Sequence, residues 1–494
     1  MNKDLLLGID FGTGGCKVTL IDTGGNLIDS VSGEYNTSHP QPGYAEQNPA
    51  DWHATMCTIL RKLKHREKIA AVALDSYTHG AVLLDGKLNV IRPTIIWTDQ
   101  RSVKECGFLK KNYFALIFNT AYQTPTPTWT LPQMLWLKNN EPENLKKVKH
   151  ILFVKDYIRF LLTGEMACDC IESQGTLFWD MKNSCWSEEL CALADISVKA
   201  LPRIGRPTDI AGKLTAGAAL ETGLPEGIPV IMGASDSAVE DYASGAIESG
   251  QCILKLATAG NVNVMTSNAH PHPETLTYSH VVPGMWYTVT ATNAAAACQR
   301  WFRDNFCTPE TTYQELNQLA AKSPPGSGGV FFHPYLMGER SPYWDPFLRG
   351  SFTGLSMGSC KADLSRALLE GVAFSLRDCY STIEKMGLET HEFILIGGGA
   401  KNELWCRIIS DVFNAPVKCP SICDASFGSA LLAGVGTGVF PDEISAVRQC
   451  LKFDRKILPD ADNAEFYAKQ FRHYRNIHDE LAGVYRNINN KDME

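Results

Sequence analysis

The sequence predicts an α/β protein made of two similar halves that face a shared cleft. Its 494 residues allow two or three domains at about 100–200 residues each. A strand, a turn of small residues and a second strand occur at residues 4–22 and again at 251–265. Polar clusters follow several apolar strands, which is where α/β folds collect ligand groups. We therefore expect domains at residues 1–246 and 247–494 with the active site between them.

Composition and charge count against several classes of protein. Hydrophobic residues make up 44% and charged residues 20% of the chain, as in ordinary soluble proteins. The net charge of −8 disfavours nucleic acid or an anionic membrane as a partner. The most apolar stretch, residues 427–440, is too short to span a bilayer. The 16 cysteines are scattered without a C-x-x-C pair, so we expect reduced thiols in a cytoplasmic protein.

The first half begins with a predicted hairpin that carries a glycine-rich turn. Apolar runs followed by polar residues indicate further strands, and apolar residues at helical spacing indicate two helices, the second ending at Gly164. The expected elements are strands at 4–11, 16–21, 70–74 and 94–97 and helices at 133–139 and 152–162.

The second half repeats the hairpin after a connecting strand and helix. The strand at 229–232 leads to Asp236, which would open a helix. The tail, residues 464–487, has aromatic residues at helical spacing and should pack on its own domain. The expected strands are at 251–256, 262–265 and 393–396.

The turn of the first hairpin combines a carboxylate with small residues. Asp10 ends the strand just before Gly12, Thr13 and Gly14. Backbone N–H groups in such a turn can face an anion, while the carboxylate can hold magnesium directly or through water. These features suit nucleotide phosphates, although an ordinary glycine-rich hairpin has the same pattern.

A second small-residue turn, at Thr258 and Gly260, would approach the same phosphates from the other half. The sequence contains no G-x-x-x-x-G-K-[ST] segment, so a P-loop is excluded as the phosphate-binding device. The two turns together favour a nucleotide site built from hairpins.

A third glycine-rich segment follows the predicted strand 393–396. Gly397, Gly398 and Gly399 precede a helix that would begin at Lys401 or Asn402. Glycines at such a turn let a flat ligand such as adenine or ribose lie against the backbone. Close packing of the helix on the strand accounts for them equally well.

Asp236 is the sharpest candidate for catalysis. It follows a strand, lies among small residues and would open a helix. Beside a phosphate site it could accept the proton of an attacking hydroxyl group. The alternative is a simple helix cap.

Polar residues after the strands at 70–74 and 94–97 could line a sugar pocket. The candidates are His79, Trp97, Asp99 and Arg101. Trp97 could equally belong to the core, and Asp99 with Arg101 could form a structural ion pair.

Motifs further along the chain resemble those of the FGGY carbohydrate kinases. Residues 350–355, GSFTGL, followed by residues 363–370, DLSRALLE, are similar in sequence and spacing to the C-terminal signature of that family. The resemblance extends from Gly8 to about Phe440. It implies two actin-like, ribonuclease H-like domains with a catalytic cleft between them. The first would bind the sugar and carry the catalytic aspartate, and the second would bind ATP and end in a helical tail.

The resemblance also implies a role for each candidate residue. Asp236 would be the catalytic base, and Asp10 would help to hold magnesium. The implied nucleotide-binding residues are Gly12, Thr13, Gly14, Thr258, Gly260, Gly398, Gly399, Ala400 and Asn402. The implied sugar-binding residues are Thr78, His79, Trp97, Asp99, Asp236 and Ser237.

Within the family, the xylulokinases are most similar, through residues 338–346, GERSPYWDP. The implied reaction transfers the γ-phosphoryl group of ATP, with magnesium, to D-xylulose, giving D-xylulose 5-phosphate. Tyr77 and Thr78 stand where those kinases usually have glutamine and methionine, and Ser237 where asparagine often follows the catalytic aspartate. Gln133 replaces a lysine that is usual in the N-terminal signature.

These departures leave alternatives open for the acceptor. Another ketose, a polyol or a sugar acid, such as ribulose, erythritol or gluconate, is the nearest one. A more distant alternative is an actin-like protein that binds ATP and regulates without phosphoryl transfer. The expected partners are a small-molecule sugar and ATP, and a homodimer is one option for the oligomeric state.

Overall fold

Two mixed β-sheets, one from each half of the chain, carry the main elements of the molecule. The computed structural model describes residues 4–489. The strands of the first half are β1 (Leu5–Gly12), β2 (Gly15–Ile21), β3 (Leu27–Glu34), β4 (Glu46–Gln47), β5 (Ile69–Ser76), β6 (Ala81–Leu84), β7 (Thr94–Ile95), β8 (His150–Phe153), β9 (Ala167–Asp169), β10 (Trp179–Asp180), β11 (Cys185–Trp186), β12 (Arg203–Gly205), β13 (Ile210–Lys213) and β14 (Pro229–Ile231). The strands of the second half are β15 (Gln251–Leu256), β16 (Gly260–Thr266), β17 (Leu276–Ser279), β18 (Trp286–Thr292), β19 (Phe331–His333), β20 (Ser351–Thr353), β21 (Glu392–Ile396), β22 (Val417–Pro420) and β23 (Phe453–Ile457).

Helices cover the sheets and connect their strands. They are α1 (Pro49–Lys62), α2 (Val103–Ala121), α3 (Thr130–Asn140), α4 (Pro142–Lys147), α5 (Val154–Thr163), α6 (Glu188–Leu193), α7 (Ala216–Thr222), α8 (Asp236–Ala243), α9 (Ala296–Phe306), α10 (Tyr313–Ala320), α11 (Lys361–Lys385), α12 (Glu403–Phe413), α13 (Ala425–Gly436), α14 (Glu443–Cys450) and α15 (Ala461–Asn489). Short 3₁₀ turns lie at Arg66–Lys68, Glu172–Thr176, Val198–Ala200, Ser327–Gly329 and Gly398–Lys401. Within residues 4–489, none of the helices has both the length and the apolar character needed to cross a membrane.

The six strands of the first sheet, taken from β3 to β13, correspond to β18-β16-β15-β21-β22-β23 of the second, and β17 is an additional edge strand. In the first, the order is β13-β14-β5-β1-β2-β3, and in the second it is β17-β18-β16-β15-β21-β22-β23. Each contains an antiparallel hairpin, β1 with β2 or β15 with β16, whose first strand runs parallel to the next strand of the sheet. The predicted repeat of the hairpin is therefore confirmed and extends to the sheet around it.

The halves share a hydrophobic core. It contains Leu6 and Ile231 from the first sheet, Ile394 from the second, and residues of α8 and α13. Helix α13 packs closely on β1, because a Cβ atom at Gly8 would lie 1.8 Å from the carbonyl oxygen of Ser426. Helix α13, which lies between β22 and β23 of the second sheet in the chain, thus packs against the first sheet.

Two predicted elements differ from the structure. The helix expected at 152–162 begins only at Val154, because Leu152 and Phe153 belong to β8, which pairs with β6. A short apolar run does not distinguish a strand from the first turn of a helix. The strand expected at 94–97 ends at Ile95, which leaves Trp97 in the following loop. The tail is helical as predicted and buries Tyr467 and Tyr474 in the core of the second half.

Candidate active site

Three carboxylates meet where parallel strands of the first sheet end. Asp10 of β1 pairs in register with Asp75 of β5. Asp236 follows β14, which runs parallel to β5, and it is the first residue of α8. Because the carboxyl ends of parallel strands lie at one edge of a sheet, the three side chains converge there. Asp75 was not among the predicted site residues, although it ends an apolar strand in the same way as Asp10.

Burial raises the pKa of all three carboxyl groups. Burial, with the negative charge of Asp236 second, raises the pKa of Asp10 to about 7. Burial also raises the pKa of Asp236 to about 6, although Lys255 opposes the rise. For Asp75, burial and then the charge of Asp10 raise the pKa well above its usual range. Such a group of carboxylates gains stability when a positive charge lies among them.

The carboxylates also fit a magnesium ion. Asp10 Oδ1 and Asp75 Oδ1 are buried, and no N–H or hydroxyl group within residues 4–489 donates a hydrogen bond to them. Oxygen atoms of one or two carboxylates, completed by water and substrate phosphates, are the ligands that magnesium prefers. Asp10 and Asp75 are therefore suited to hold the ion, directly or through water.

Asp236 is not the cap of its helix. Ser235 occupies the N-cap position of α8. The Asp236 carboxylate accepts hydrogen bonds from the backbone N–H of Ser237 (2.6 Å) and from its hydroxyl group (3.1 Å). Ser237 is exposed, so this side of Asp236 is accessible from solvent.

Two ion pairs join the halves beside these carboxylates. Lys17 of β2 contacts Asp424, the N-cap of α13, at 2.8 Å. Lys255 of β15 contacts Glu240 of α8. None of these four residues was predicted, because each pair joins positions that only the folded chain brings together.

The turn of the first hairpin leaves space for a ligand. A Cβ atom at Gly14 would meet no atom within 4 Å, and one at Gly12 would meet only the carbonyl oxygen of Gly15, at 3.5 Å. Packing therefore does not require glycine at these two positions. Thr13 accepts a hydrogen bond from the indole N–H of Trp97 at 2.8 Å, so the predicted phosphate and sugar positions adjoin.

The two predicted residues of the second turn have different environments, one open to a ligand and one closely packed. Thr258 is exposed and faces a cavity. Gly260 is buried, and a Cβ atom there would lie 2.8 Å from the Thr292 methyl group and 2.9 Å from a Leu376 methyl group. The glycine at 260 is thus explained by packing within the second half, and Thr258 is the member of this turn that can meet a ligand.

A cavity of about 640 Å³ lies in the second half, beside the Thr258 turn. It joins four of the predicted nucleotide residues to side chains of α9 and α10. Its lining is Ala257, Thr258, Ala296, Ala297, Gln299, Arg300, Tyr313, Gln314, Asn317, Gly398, Gly399, Lys401 and Asn402. The contributions of α9 and α10 were missed, because amphipathic helices with polar outer faces carry no ligand signal in sequence.

The glycines after β21 have different roles. A Cβ atom at Gly398 would meet nothing within 4 Å, whereas one at Gly399 would lie 2.8 Å from Leu256 Cβ. Gly398 therefore opens onto the cavity and Gly399 permits close packing, so both predicted explanations apply. Ala400 is buried, and its carbonyl oxygen accepts a hydrogen bond from Arg455. Asn402 caps α12 and donates to Asn317 at 2.8 Å.

His79 is held in one orientation at the edge of the first half. Its backbone has a φ of 78°, and Nδ1 donates a hydrogen bond to the Gly175 carbonyl oxygen. Its ring lies edge-on to that of Trp129, with centroids 4.6 Å apart. Burial lowers the pKa of His79 to about 4. The imidazole is therefore neutral, with Nε2 as a hydrogen-bond acceptor. Neighbouring Thr78 is half-buried and packs next to Gly175.

Trp97 and Asp99 have different environments. Trp97 is 40% exposed and so is not a core residue. Asp99 is fully buried, and its carboxylate accepts hydrogen bonds from Arg101 and from the backbone N–H of Ala45. The ion pair with Arg101, which was the alternative for Asp99, is present in the structure, and a sugar contact of Asp99 stays a prediction. Gln133 is likewise buried, and it donates to the carbonyl oxygens of Thr128 and Ile96.

Comparison with known proteins identifies relatives over the whole chain. The models of the FGGY family of carbohydrate kinases match residues 5–240, for the N-terminal domain, and 256–437, for the C-terminal domain. A xylulose kinase of Bacillus subtilis is 31% identical over 484 residues, which cover 96% of each chain.

Solved structures agree with these sequence matches. A xylulose kinase structure from Brucella ovis superposes with a TM-score of 0.90 at 31% identity, covering 97% of this chain and 100% of the other. A gluconate kinase structure from Lactobacillus acidophilus gives 0.91 at 26% identity, covering 98% and 99%. The strand arrangement of the two sheets is thus shared with sugar kinases.

Proposed function

Since the chain belongs to the FGGY family of carbohydrate kinases, we propose that it transfers the γ-phosphoryl group of ATP to a hydroxyl group of D-xylulose. Asp236 carries this proposal, because it lies with Asp10 and Asp75 at the strand ends of the first sheet, where β1 leads into the turn at Thr13. The curated relatives named as xylulose kinases favour this acceptor.

Asp236 acts as the general base. With a pKa of about 6, its carboxylate is ionised at neutral pH and can accept a proton. The sugar oxygen attacks the γ-phosphorus, the bond from that phosphorus to the β–γ bridging oxygen breaks, and the hydroxyl proton moves to the Asp236 carboxylate. ADP leaves with the bridging oxygen.

Both halves hold the nucleotide. The 640 Å³ cavity beside Gly398 takes the adenosine, and the turns at Thr13 and Thr258 face the phosphates. Magnesium, held by Asp10 and Asp75, would neutralise phosphate charge when bound. A protein of net charge −8 can bind ATP in this way because backbone N–H groups and local cations replace a basic surface.

The first half orients the sugar. His79 Nε2 accepts a hydrogen bond from a sugar hydroxyl group, since its Nδ1 already donates to Gly175. Trp97 provides an apolar wall and is fixed by its bond to Thr13. Thr78 and Ser237 complete the pocket with hydroxyl groups.

A second candidate acceptor is a sugar acid such as gluconate. The gluconate kinase structure matches the fold as well as the xylulose kinase structure does. In addition, Thr78 and Ser237 differ from the usual xylulokinase residues.

A coupled assay of ADP formation over a panel of acceptors tests the proposal. D-xylulose should stimulate turnover far more than D-ribulose, D-gluconate or erythritol. Stimulation by gluconate alone would show that the acceptor is gluconate and would leave the proposed kinase activity unchanged. Binding of ATP without stimulation of turnover by any acceptor would argue for a nucleotide-dependent regulator instead.

A further inference from the structure

A lysine from the second half reaches into the group of carboxylates in the first. Lys255 Nζ contacts Glu240 Oε2, and the two side chains are only 26% and 20% exposed. Glu240 lies one helical turn after Asp236 on α8, so both carboxylates are on the same face of that helix. The positive charge of Lys255 therefore lies beside the proposed base.

Lys255 is also adjacent to the proposed nucleotide site. It precedes Ala257 and Thr258, which line the cavity, by two and three residues. In the sheet it pairs with Ile396, the last residue before Gly397 and Gly398. The γ-phosphoryl group must pass from the Thr258 turn to a hydroxyl group at Asp236. Lys255 adjoins both, because it contacts Glu240 on α8 and precedes Thr258 by three residues in the chain.

The surrounding charges make Lys255 the cation available on this side. Asp236, Glu240 and Asp241 on α8 all favour its charged form. Asp424, the N-cap of α13, adds a further carboxylate beside Asp10. Lys17 of β2 is held instead by Asp424, at 2.8 Å.

We propose that Lys255 is a further catalytic residue, which leaves Glu240 and contacts the γ-phosphoryl group when ATP binds. Before ATP binds, Glu240 is the counterion that keeps the lysine in place. A half-buried ammonium group without a partner destabilises the folded protein. The ion pair with Glu240 therefore keeps Lys255 charged until it can contact the phosphate. Hydrogen bonds from a cation to phosphate strengthen as charge builds on the transferring oxygens.

This inference rests on the proposed function, and binding measurements test it without turnover. Calorimetry with magnesium compares a non-hydrolysable ATP analogue, with an imide between the β- and γ-phosphorus, against ADP. In Lys255→Met, we expect the analogue to bind about 10- to 100-fold more weakly than to the unchanged protein, from loss of one charged hydrogen bond. ADP, which lacks the γ-phosphoryl group, should bind within about threefold of its normal affinity. Retained ADP binding also shows that the variant is folded.

Two further variants separate a phosphate contact from a structural ion pair. Lys418→Met is the matched control, because Lys418 forms a similar half-buried pair with Glu392 in the same sheet, away from Asp236. It should bind both nucleotides normally. Glu240→Gln removes the counterion and keeps the lysine, so the analogue should bind at least as tightly as before.

Three results would overturn the inference. One is normal binding of the analogue to Lys255→Met. Another is an equal loss of ADP and analogue binding in that variant, and the third is a loss in Glu240→Gln that matches Lys255→Met. Absence of sugar-stimulated turnover in the unchanged protein would instead refute the proposed function and leave these comparisons of binding intact.

Discussion

The two halves share a sheet arrangement but present different groups at their strand ends. In the first sheet, β1 and β5 end with the carboxylates Asp10 and Asp75. In the second, the corresponding strands β15 and β21 lead to the Thr258 turn and to Gly398. In our proposals, the carboxylates that perform the chemistry come from the first half, while the second half contributes backbone, space and one side chain, Lys255. A repeated topology can therefore serve two tasks when a few residues at strand ends differ.

The same contrast appears among the glycines. Gly14 and Gly398 open onto space, whereas Gly15 and Gly399 are in close contact with backbone or side-chain atoms. A Cβ atom at Gly15 would lie 2.4 Å from the Gly33 carbonyl oxygen. Each glycine-rich turn thus contains one residue that leaves room for a ligand and another that the fold requires.

Asp236→Asn should have the largest effect, since the asparagine amide cannot accept the hydroxyl proton. We expect turnover to fall by at least about 100-fold. ADP affinity, measured by calorimetry, should stay near normal because the second half is unchanged. Asp462→Asn, an exposed residue in the first turn of α15, is the control and should be fully active. Near-normal turnover of the Asp236 variant would refute the assignment of Asp236 as the general base.

Asp10→Asn tests whether the first half holds the metal ion. Loss of even an outer partner of a metal ligand costs about 10- to 100-fold in affinity or activity. We therefore expect the magnesium concentration for half-maximal turnover to rise at least about tenfold. A magnesium titration of turnover measures this change. An unchanged requirement would mean that Asp10 does not assist the ion.

Two alanine substitutions in the second half distinguish a glycine that is needed for packing from a glycine that leaves room for a ligand. Gly399→Ala brings a Cβ atom to 2.8 Å from Leu256 Cβ, so overpacking should cost about 1–3 kcal/mol in the free energy of unfolding. Gly398→Ala meets no atom and should leave stability unchanged while raising the KM for ATP a few-fold, about 1 kcal/mol or less. Denaturant unfolding and steady-state kinetics measure the two effects. Equal destabilisation by both would contradict the division between packing and ligand space.

The sequence predicted elements and strand-end groups better than it predicted their neighbours. The hairpins, the strand ends at Asp10 and Asp236 and the Gly398 turn follow from local patterns. Lys17 and Asp424 are 407 positions apart, so nothing local links them. Glu240 and Lys255 are close in sequence, but their contact depends on how α8 lies against the second sheet. Asp99 and Arg101 show the opposite problem, because a polar cluster after a strand is equally compatible with a pocket and with a buried ion pair.

The smallest expected effect concerns pH and the sugar-binding residue His79. A typical histidine with a pKa near 6.5 would change from acceptor to donor between about pH 7.5 and 5.5. Burial lowers the pKa of His79 to about 4, so its Nε2 stays unprotonated until the pH approaches that value. The KM for the sugar should therefore be constant between about pH 5.5 and 8. Turnover should meanwhile fall as the pH drops through about 6, because Asp236 then becomes protonated.

A KM that rises about tenfold over the same range would mean that His79 titrates normally and that sugar binding needs its neutral form. A constant KM with falling turnover would instead assign the pH dependence of the first half to its carboxylates.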